Sequence, residues 1–147
     1  MIFNLSSPAH EAEANIALKH KDAAVVGFGR AVYAENCASC HGVVLEGQVN
    51  WQQRDAGVYL LAPPHDETGN TWHHPDSHLF LMTKYGFQEM IGKSYLNNMP
   101  AYEDKLTDDQ ILAVLSYIKS TRPGPIKRQH DRINARAKAH LGNYSNV

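Results

Sequence analysis

The chain has 147 residues, a formal net charge of −1 at pH 7 and a hydrophobic content of 43%. This length predicts a single domain with one core, and the composition is that of a globular protein rather than a disordered one. No stretch approaches the ~20 consecutive apolar residues that a membrane-spanning helix needs. Residues 1–5 are too short for the apolar part of a signal peptide and contain no basic residue.

The charge is unevenly distributed along the chain. Residues 1–118 contain 7 Lys and Arg against 14 Asp and Glu, a net charge of −7. Residues 119–147 contain 7 Lys and Arg against 1 Asp, a net charge of +6. Such a basic segment either folds back on the acidic body or docks an acidic partner or a membrane surface, and both interpretations stay open.

The first half of the chain predicts one helix and one long loop. Residues 1–21 are polar and alanine-rich, and we interpret them as an arm or a linker. From Asp22 onward, apolar residues recur at spacings of three and four, which predicts a helix that contains Gly29. Between Gly42 and Thr71 the chain is rich in turn residues and predicts a long irregular loop, a kind of segment that usually serves a function.

Helix signals dominate the second half. Pro75 is predicted at the first position of a helix that ends at Gly86, and residues 88–91 predict a shorter helical turn. Thr107 and Gln110 have the spacing of a capping box, which predicts the start of another helix.

A Pro-Gly-Pro sequence at residues 123–125 ends that helix. Residues 122–147 are predicted as a basic extension that contains a further amphipathic helix. No segment alternates like a strand, so the predicted fold is all-α, with residues 22–121 forming the domain.

The most informative motif is Cys37-Ala38-Ser39-Cys40-His41, which has the C-x-x-C-H spacing of a c-type haem attachment site. Two thiols at this spacing can reach the two vinyl groups of one porphyrin, and the histidine then ligates the iron. A thioredoxin-type dithiol is an alternative, but it expects a βαβ context. A zinc site is another, because nine histidines could complete the two cysteines.

These residues give the chain a resemblance to the class I, small monohaem bacterial cytochromes c, from about residue 22 to residue 121. The resemblance implies three to five helices wrapped around one covalently attached haem, with an extra C-terminal helix in this chain. It also implies that the first and last helices of the domain cross at right angles. The motifs that carry it are Gly29-x-x-x-Tyr33-x-x-x-Cys37-Ala-x-Cys40-His41-Gly42, Asn98-Met99-Pro100 and Tyr117-Ile118.

The resemblance also implies the ligands of the iron. His41 is the expected proximal ligand, and a backbone carbonyl at Pro63 or Pro64 is expected to accept its second ring proton; of the two, we predict Pro64. Met99 matches the place of the distal ligand, and Gly29 is expected to pack against Tyr117. The residues alone leave other distal ligands open: Met82, Met90, His65, His73, His74 and His78.

Two further groups of residues are candidates around the haem. Trp51, Arg54 and Trp72 carry N–H donors, and we expect them to contact the haem propionates, because buried anions need hydrogen-bond donors. The histidine-rich segment from His65 to His78 could instead form a second metal site, since imidazole suits copper, zinc and nickel.

The predicted function is that of a periplasmic one-electron carrier with one haem c bound through Cys37 and Cys40. The expected partners are a reductase and an oxidase, with no nucleic acid, and the chain is not expected to be an enzyme. Because haem c is attached outside the cytoplasm, an export signal or anchor is expected to have preceded residue 1. Membrane association would require that anchor, or docking to a membrane complex.

Three alternatives remain from the sequence. The chain could be the electron-entry subunit of a larger oxidoreductase complex, with its basic extension as the docking element. It could also be a haem-based ligand sensor or a peroxidase-like enzyme, each with an open or displaceable distal ligand. A metal-handling protein that uses the histidine-rich segment is the third alternative.

Overall fold

The computed structural model describes residue 13, residues 15–92 and residues 96–144. In this part of the chain there is no strand, only two isolated bridges, and the all-α prediction is confirmed. A 3-10 turn covers Thr71–His73. The helices are α1 Ala23–Asn36, α2 Ala38–His41, α3 Asp76–Tyr85, α4 Phe87–Ile91, α5 Asp108–Ser120 and α6 Gly124–Tyr144. None of these helices combines the length and apolar character of a membrane span.

The helix ends follow mostly from local sequence. The Asp22 carboxylate caps α1 by accepting from two backbone N–H groups, and Thr107 with Gln110 makes both hydrogen bonds of the predicted capping box at α5. The prediction for Pro75 was wrong by one residue. Its ψ of 158° is extended, so Pro75 is the N-cap and α3 begins at Asp76.

The crossing of α1 and α5 is the most extensive contact between helices. Gly29 lies against the backbone of Ala113, and a Cβ atom at Gly29 would overlap the Ala113 carbonyl and lie 2.9 Å from Cβ of Tyr117. The structure therefore brings Gly29 to Tyr117, as the resemblance implied. Only glycine allows this approach, which explains a residue that otherwise costs an α-helix ~1 kcal/mol.

The hydrophobic core is built on this crossing. Two of its tyrosines use their hydroxyl groups to hold the turn after α1: Tyr33 donates to the Gly42 carbonyl at 2.8 Å, and Tyr102 donates to the Asn36 carbonyl at 2.9 Å. The buried cluster consists of Val32, Tyr33, Leu45, Leu79, Phe80, Tyr102, Leu106, Ile111, Val114, Leu115 and Ile118.

The predicted C-terminal helix is present as α6, and it packs on the body through polar contacts. His130 is fully buried, and its Nε2 donates to the carbonyl of His74 at 2.8 Å. Asn134 and Asp76 exchange two hydrogen bonds of 2.8 and 3.0 Å. Lys119 on α5 pairs with Asp131 on α6. One side of the basic extension therefore folds back on the body.

We expect Gly29→Ala to lower the free energy of unfolding by about 1–3 kcal/mol or more, because its Cβ meets backbone that cannot rotate away. Gly27→Ala is the matched control on the same helix, since a Cβ there meets nothing within 4 Å. The control should raise stability by about 0.5–1 kcal/mol. Urea unfolding of the two haem-loaded variants measures the difference, and equal values would contradict the tight crossing.

Candidate cofactor-binding site

The C-x-x-C-H motif forms the turn between α1 and α2. The backbone N–H of Cys37 bonds to the carbonyl of Tyr33, and the Cys37 carbonyl accepts from the N–H groups of Cys40 and His41. Cys37 is half-buried and Cys40 is exposed, and neither thiol is in a disulfide. Both sulfur atoms are therefore held on one turn, beside the imidazole.

His41 is held as a ligand of metal would be. The residue is buried, with 7% of its surface exposed. Its Nδ1 donates to the carbonyl of Pro63 at 2.8 Å, which fixes the tautomer and leaves Nε2 free for iron. The prediction that Pro64 provides the acceptor was therefore wrong, and the carbonyl of Pro63 takes that role. Two free thiols and an imidazole with this orientation fit a covalently attached haem.

Pro64 instead fixes the shape of the loop. It is buried between two glycines: a Cβ at Gly47 would lie 2.5 Å from its nitrogen, and a Cβ at Gly69 would overlap its carbonyl oxygen. The N–H of Gly47 also donates to the His41 carbonyl at 2.7 Å. These close approaches place the preceding carbonyl, that of Pro63, at the imidazole.

His65 lies against His41. The two rings stack with centroids 3.9 Å apart and an interplanar angle of 27°, and Nδ1 of His65 bonds to Oγ1 of Thr71 at 2.8 Å. The His65 carbonyl accepts from the buried guanidinium of Arg122 at 3.4 Å. A ring in face contact with His41 lies beside that ligand and cannot stand opposite it across an iron. The structure therefore excludes His65 as the distal ligand.

Burial controls the ionisation of these groups. The pKa of His65 lies well below 6.5, first because of desolvation and then because of neighbouring His41 and Arg122. Desolvation also lowers the pKa of His41. The site thus keeps both imidazoles neutral, and neutral imidazole is the form that binds iron.

The thiols do not have the character of a redox dithiol. Burial, followed by the neighbouring Cys40, raises the pKa of Cys37 to about 11. Reactive cysteines of C-x-x-C oxidoreductases have lowered pKa values.

In the part of the chain that the structure describes, no group of three or more His, Cys, Asp or Glu side chains is placed to hold a metal ion. Neither the thioredoxin-type nor the zinc alternative is supported.

Met99 lies in the segment between α4 and α5. The segment is fixed before Met99 by a hydrogen bond of 2.7 Å from the N–H of Leu60 to the carbonyl of Leu96. The N–H of Met99 itself donates to Oδ1 of Asn97 at 3.0 Å. The Met99 side chain is 38% exposed and stands outside the core, whereas Met82 packs against the core cluster.

Two of the three candidate propionate donors hydrogen-bond to backbone carbonyls close to them in sequence. Nε1 of Trp72 donates to the carbonyl of Glu67 at 3.1 Å, and Nη1 of Arg54 donates to the carbonyl of Val58 at 2.9 Å. Trp51 is half-buried. The propionate contacts of all three residues stay predictions, and the Trp72 N–H is already used by its own loop.

The remaining histidines do not converge on one point. His73 is exposed and stacks on Trp72 with centroids 3.8 Å apart. The rings of His74 and His78 are 6.5 Å apart, and burial lowers the pKa of His74. Among the residues that the structure describes, no third ligand joins these two imidazoles, so the geometry does not favour the metal-handling alternative.

Sequence reasoning missed His65 as a neighbour of His41, and it also missed Arg122. The signal for His65 was available, because it follows the two prolines expected to reach the proximal histidine. The burial of Arg122, which is 3% exposed, carried no sequence signal.

Comparison with known proteins agrees with this geometry. The profile of the family "Cytochrome c" matches residues 28–122. The cbb3-type cytochrome c oxidase subunit CcoP of Azospirillum brasilense is 31% identical over 103 residues, which are 70% of this chain and 30% of that protein. The chain thus spans less than a third of the relative's length. No solved structure matches the chain significantly.

We expect the free energy of unfolding to fall as the pH is lowered below about 6.5, with part of the fall due to His65. The pKa of His65 in the folded state lies well below 6.5. Below pH 6.5 the unfolded chain therefore binds a proton at His65 that the folded chain does not bind. The part of the free energy of unfolding that depends on a neutral His65 is fully present above pH 6.5, and it is lost as the pH falls. His65→Leu should make the fall shallower by up to about 1.4 kcal/mol per pH unit.

Urea titrations of the haem-loaded protein between neutral and mildly acidic pH measure this slope. The unsubstituted protein, titrated over the same pH range, is the reference for His65→Leu. A slope in His65→Leu equal to that of the unsubstituted protein would contradict the assignment.

Proposed function

The chain belongs to the cytochrome c family, and we propose that it is a periplasmic one-electron carrier with a single haem c and His/Met axial ligation. Membership of the family implies haem-based electron transfer with a covalently bound haem c. The observation that carries the finer proposal is the hydrogen bond from Nδ1 of His41 to the Pro63 carbonyl. That bond presents the ring as a ligand within a turn that also holds both thiols.

Each residue of the site has a chemical role in this proposal. When bound, the haem supplies a one-electron couple between ferric and ferrous iron. Cys37 and Cys40 would hold the porphyrin through thioether bonds, and His41 would provide Nε2 to the iron. The Pro63 carbonyl makes that imidazole more electron-rich, which stabilises ferric iron. Met99 provides a neutral, weakly donating sulfur, which favours ferrous iron and raises the potential.

A single haem is proposed because the sequence has two cysteines and one C-x-x-C-H motif. With His41 and Met99 both ligating, no position is open for a substrate or a gas. We therefore propose a carrier that transforms no substrate, rather than a sensor or a peroxidase. Its partners would be a reductase that delivers the electron and an oxidase that accepts it.

A second candidate is an electron-entry subunit of a larger oxidase complex. It is favoured by the similarity to CcoP, which is named as a subunit of an oxidase. The two candidates differ in whether the chain co-purifies with other subunits in a fixed ratio. Both candidates use the same haem site. They differ only in whether the chain binds its partner permanently or transiently.

We expect Met99→Ala to abolish the weak charge-transfer band that thioether-ligated ferric haem shows at the red end of the visible spectrum. The variant should also have a lower midpoint potential, because the neutral sulfur no longer favours ferrous iron. Optical spectra of the oxidised protein and a redox titration provide the two measurements.

Met82→Ala and Met90→Ala are the matched controls. Met82 contacts the core, so its loss should lower stability but leave the band in place. A band that persists in Met99→Ala, or disappears in either control, would show that another residue is the distal ligand.

A further inference from the structure

Part of the histidine-rich segment and part of the basic extension meet in one groove. It lies between the 3-10 turn Thr71–His73 and helix α6, and its volume is about 130 Å³. The histidine-rich segment supplies one wall, and the basic extension supplies the other. The lining residues are Trp72, His73, Gln129, Arg132, Ile133 and Arg136.

The groove is cationic and open to solvent. Arg132 and Arg136 are one helical turn apart on α6, and both are exposed. Among the residues that the structure describes, the ion pairs involve Lys84, Lys119 and His130, and none involves either arginine. The guanidinium groups are therefore available to an external anion.

The local charge on α6 is not compensated within the helix. It contains five Lys and Arg residues and one acidic residue, Asp131. That carboxylate is taken by Lys119 of α5. The surplus positive charge stands against the negative charge of the rest of the chain, so it would attract an acidic partner at long range.

Two stacked aromatic rings, those of Trp72 and His73, line one side of the groove. Nε1 of Trp72 is bound to the Glu67 carbonyl, and the indole stacks on His73 with an interplanar angle of 26°. Together with Ile133, these rings give the groove an apolar side next to the two guanidinium forks. A carboxylate on a short aliphatic stem matches this combination, since arginine binds carboxylate through two parallel N–H bonds.

We propose that this groove binds an acidic, glutamate- or aspartate-rich segment of a partner protein. The proposal rests on the proposed function, because the partner would be a protein that exchanges electrons with the haem. A membrane surface fits less well, since a concave groove with an apolar side accepts a side chain better than a flat layer of headgroups. Helix α6 is attached to the body through His130 and Asn134, which do not line the groove.

The groove adjoins the proximal side of the haem site. Thr71, the first residue of the 3-10 turn, bonds to His65, and His65 stacks on His41. A partner held at Trp72 and His73 would thus lie on the segment that packs against the proximal ligand. This surface differs from the exposed thiol turn at Cys40.

The test titrates the haem-loaded, full-length protein with a hexaglutamate peptide at low ionic strength, by calorimetry. The double variant R132Q/R136Q removes both groove charges and keeps polar side chains. R128Q/K138Q is the control, because it removes two charges from the same helix outside the groove lining. We expect the groove variant to bind roughly tenfold or more weakly, and the control to change affinity no more than about twofold.

Equal weakening in both variants would overturn the proposal, because binding would then reflect overall charge. It would equally be overturned if hexaglutamate failed to bind while inorganic phosphate or phosphatidylglycerol vesicles bound through the same arginines. Ascorbate reduction and the ferric spectrum are recorded on every sample. If the unsubstituted protein could not be reversibly reduced, the proposed carrier function would fail, whatever the peptide result.

Discussion

The contact between Gly29 and the backbone of Ala113 sets the position of the helix that leads into the thiols and the proximal histidine. Helix α1 continues from this contact directly into the turn at Cys37, so the crossing with α5 also determines where the thiols stand. Tyr33 also connects the helix crossing to the motif. Its ring packs 5.6 Å from that of Tyr117, and its hydroxyl binds the carbonyl of Gly42, just after the motif. A site of five consecutive residues thus obtains its orientation from a helix crossing two turns away.

The other half of the site comes from the long loop, which has no regular structure to hold it. The loop is shaped by close backbone approaches at Gly47 and Gly69 around the two prolines. Those approaches direct the carbonyl of Pro63 toward His41. They also bring the ring of His65, which follows the two prolines, into face contact with the ring of His41. An imidazole with one ring nitrogen bonded and one face covered has little freedom to rotate. Such preorganisation limits the rearrangement that accompanies each change of iron charge.

The parts of this structure that could be predicted are those with local signals. The motif at Cys37, the capping box at Thr107 and the α-helical periodicities depend on residues close in sequence. Gly29 was predictable only through the family resemblance, since its partner on α5 is remote. Which of Pro63 and Pro64 bonds to His41 depends on which carbonyl faces the imidazole. Which group accepts from the Trp72 N–H depends on the neighbouring turn. Neither is encoded in residue spacing, because both depend on how the loop closes.

The polar contacts beneath α6 explain why the extension forms a defined surface. His130 is fully buried, and desolvation lowers its pKa, while burial lowers the pKa of Arg122 to about 10. Buried polar groups of this kind add little net stability, because desolvation offsets most of their attraction. They do require particular partners, however. His130 has the carbonyl of His74 and the carboxylate of Asp76, and Arg122 has the carbonyl of His65. The contacts therefore specify the rotation of α6, and with that rotation Arg132 and Arg136 line the groove beside the 3-10 turn.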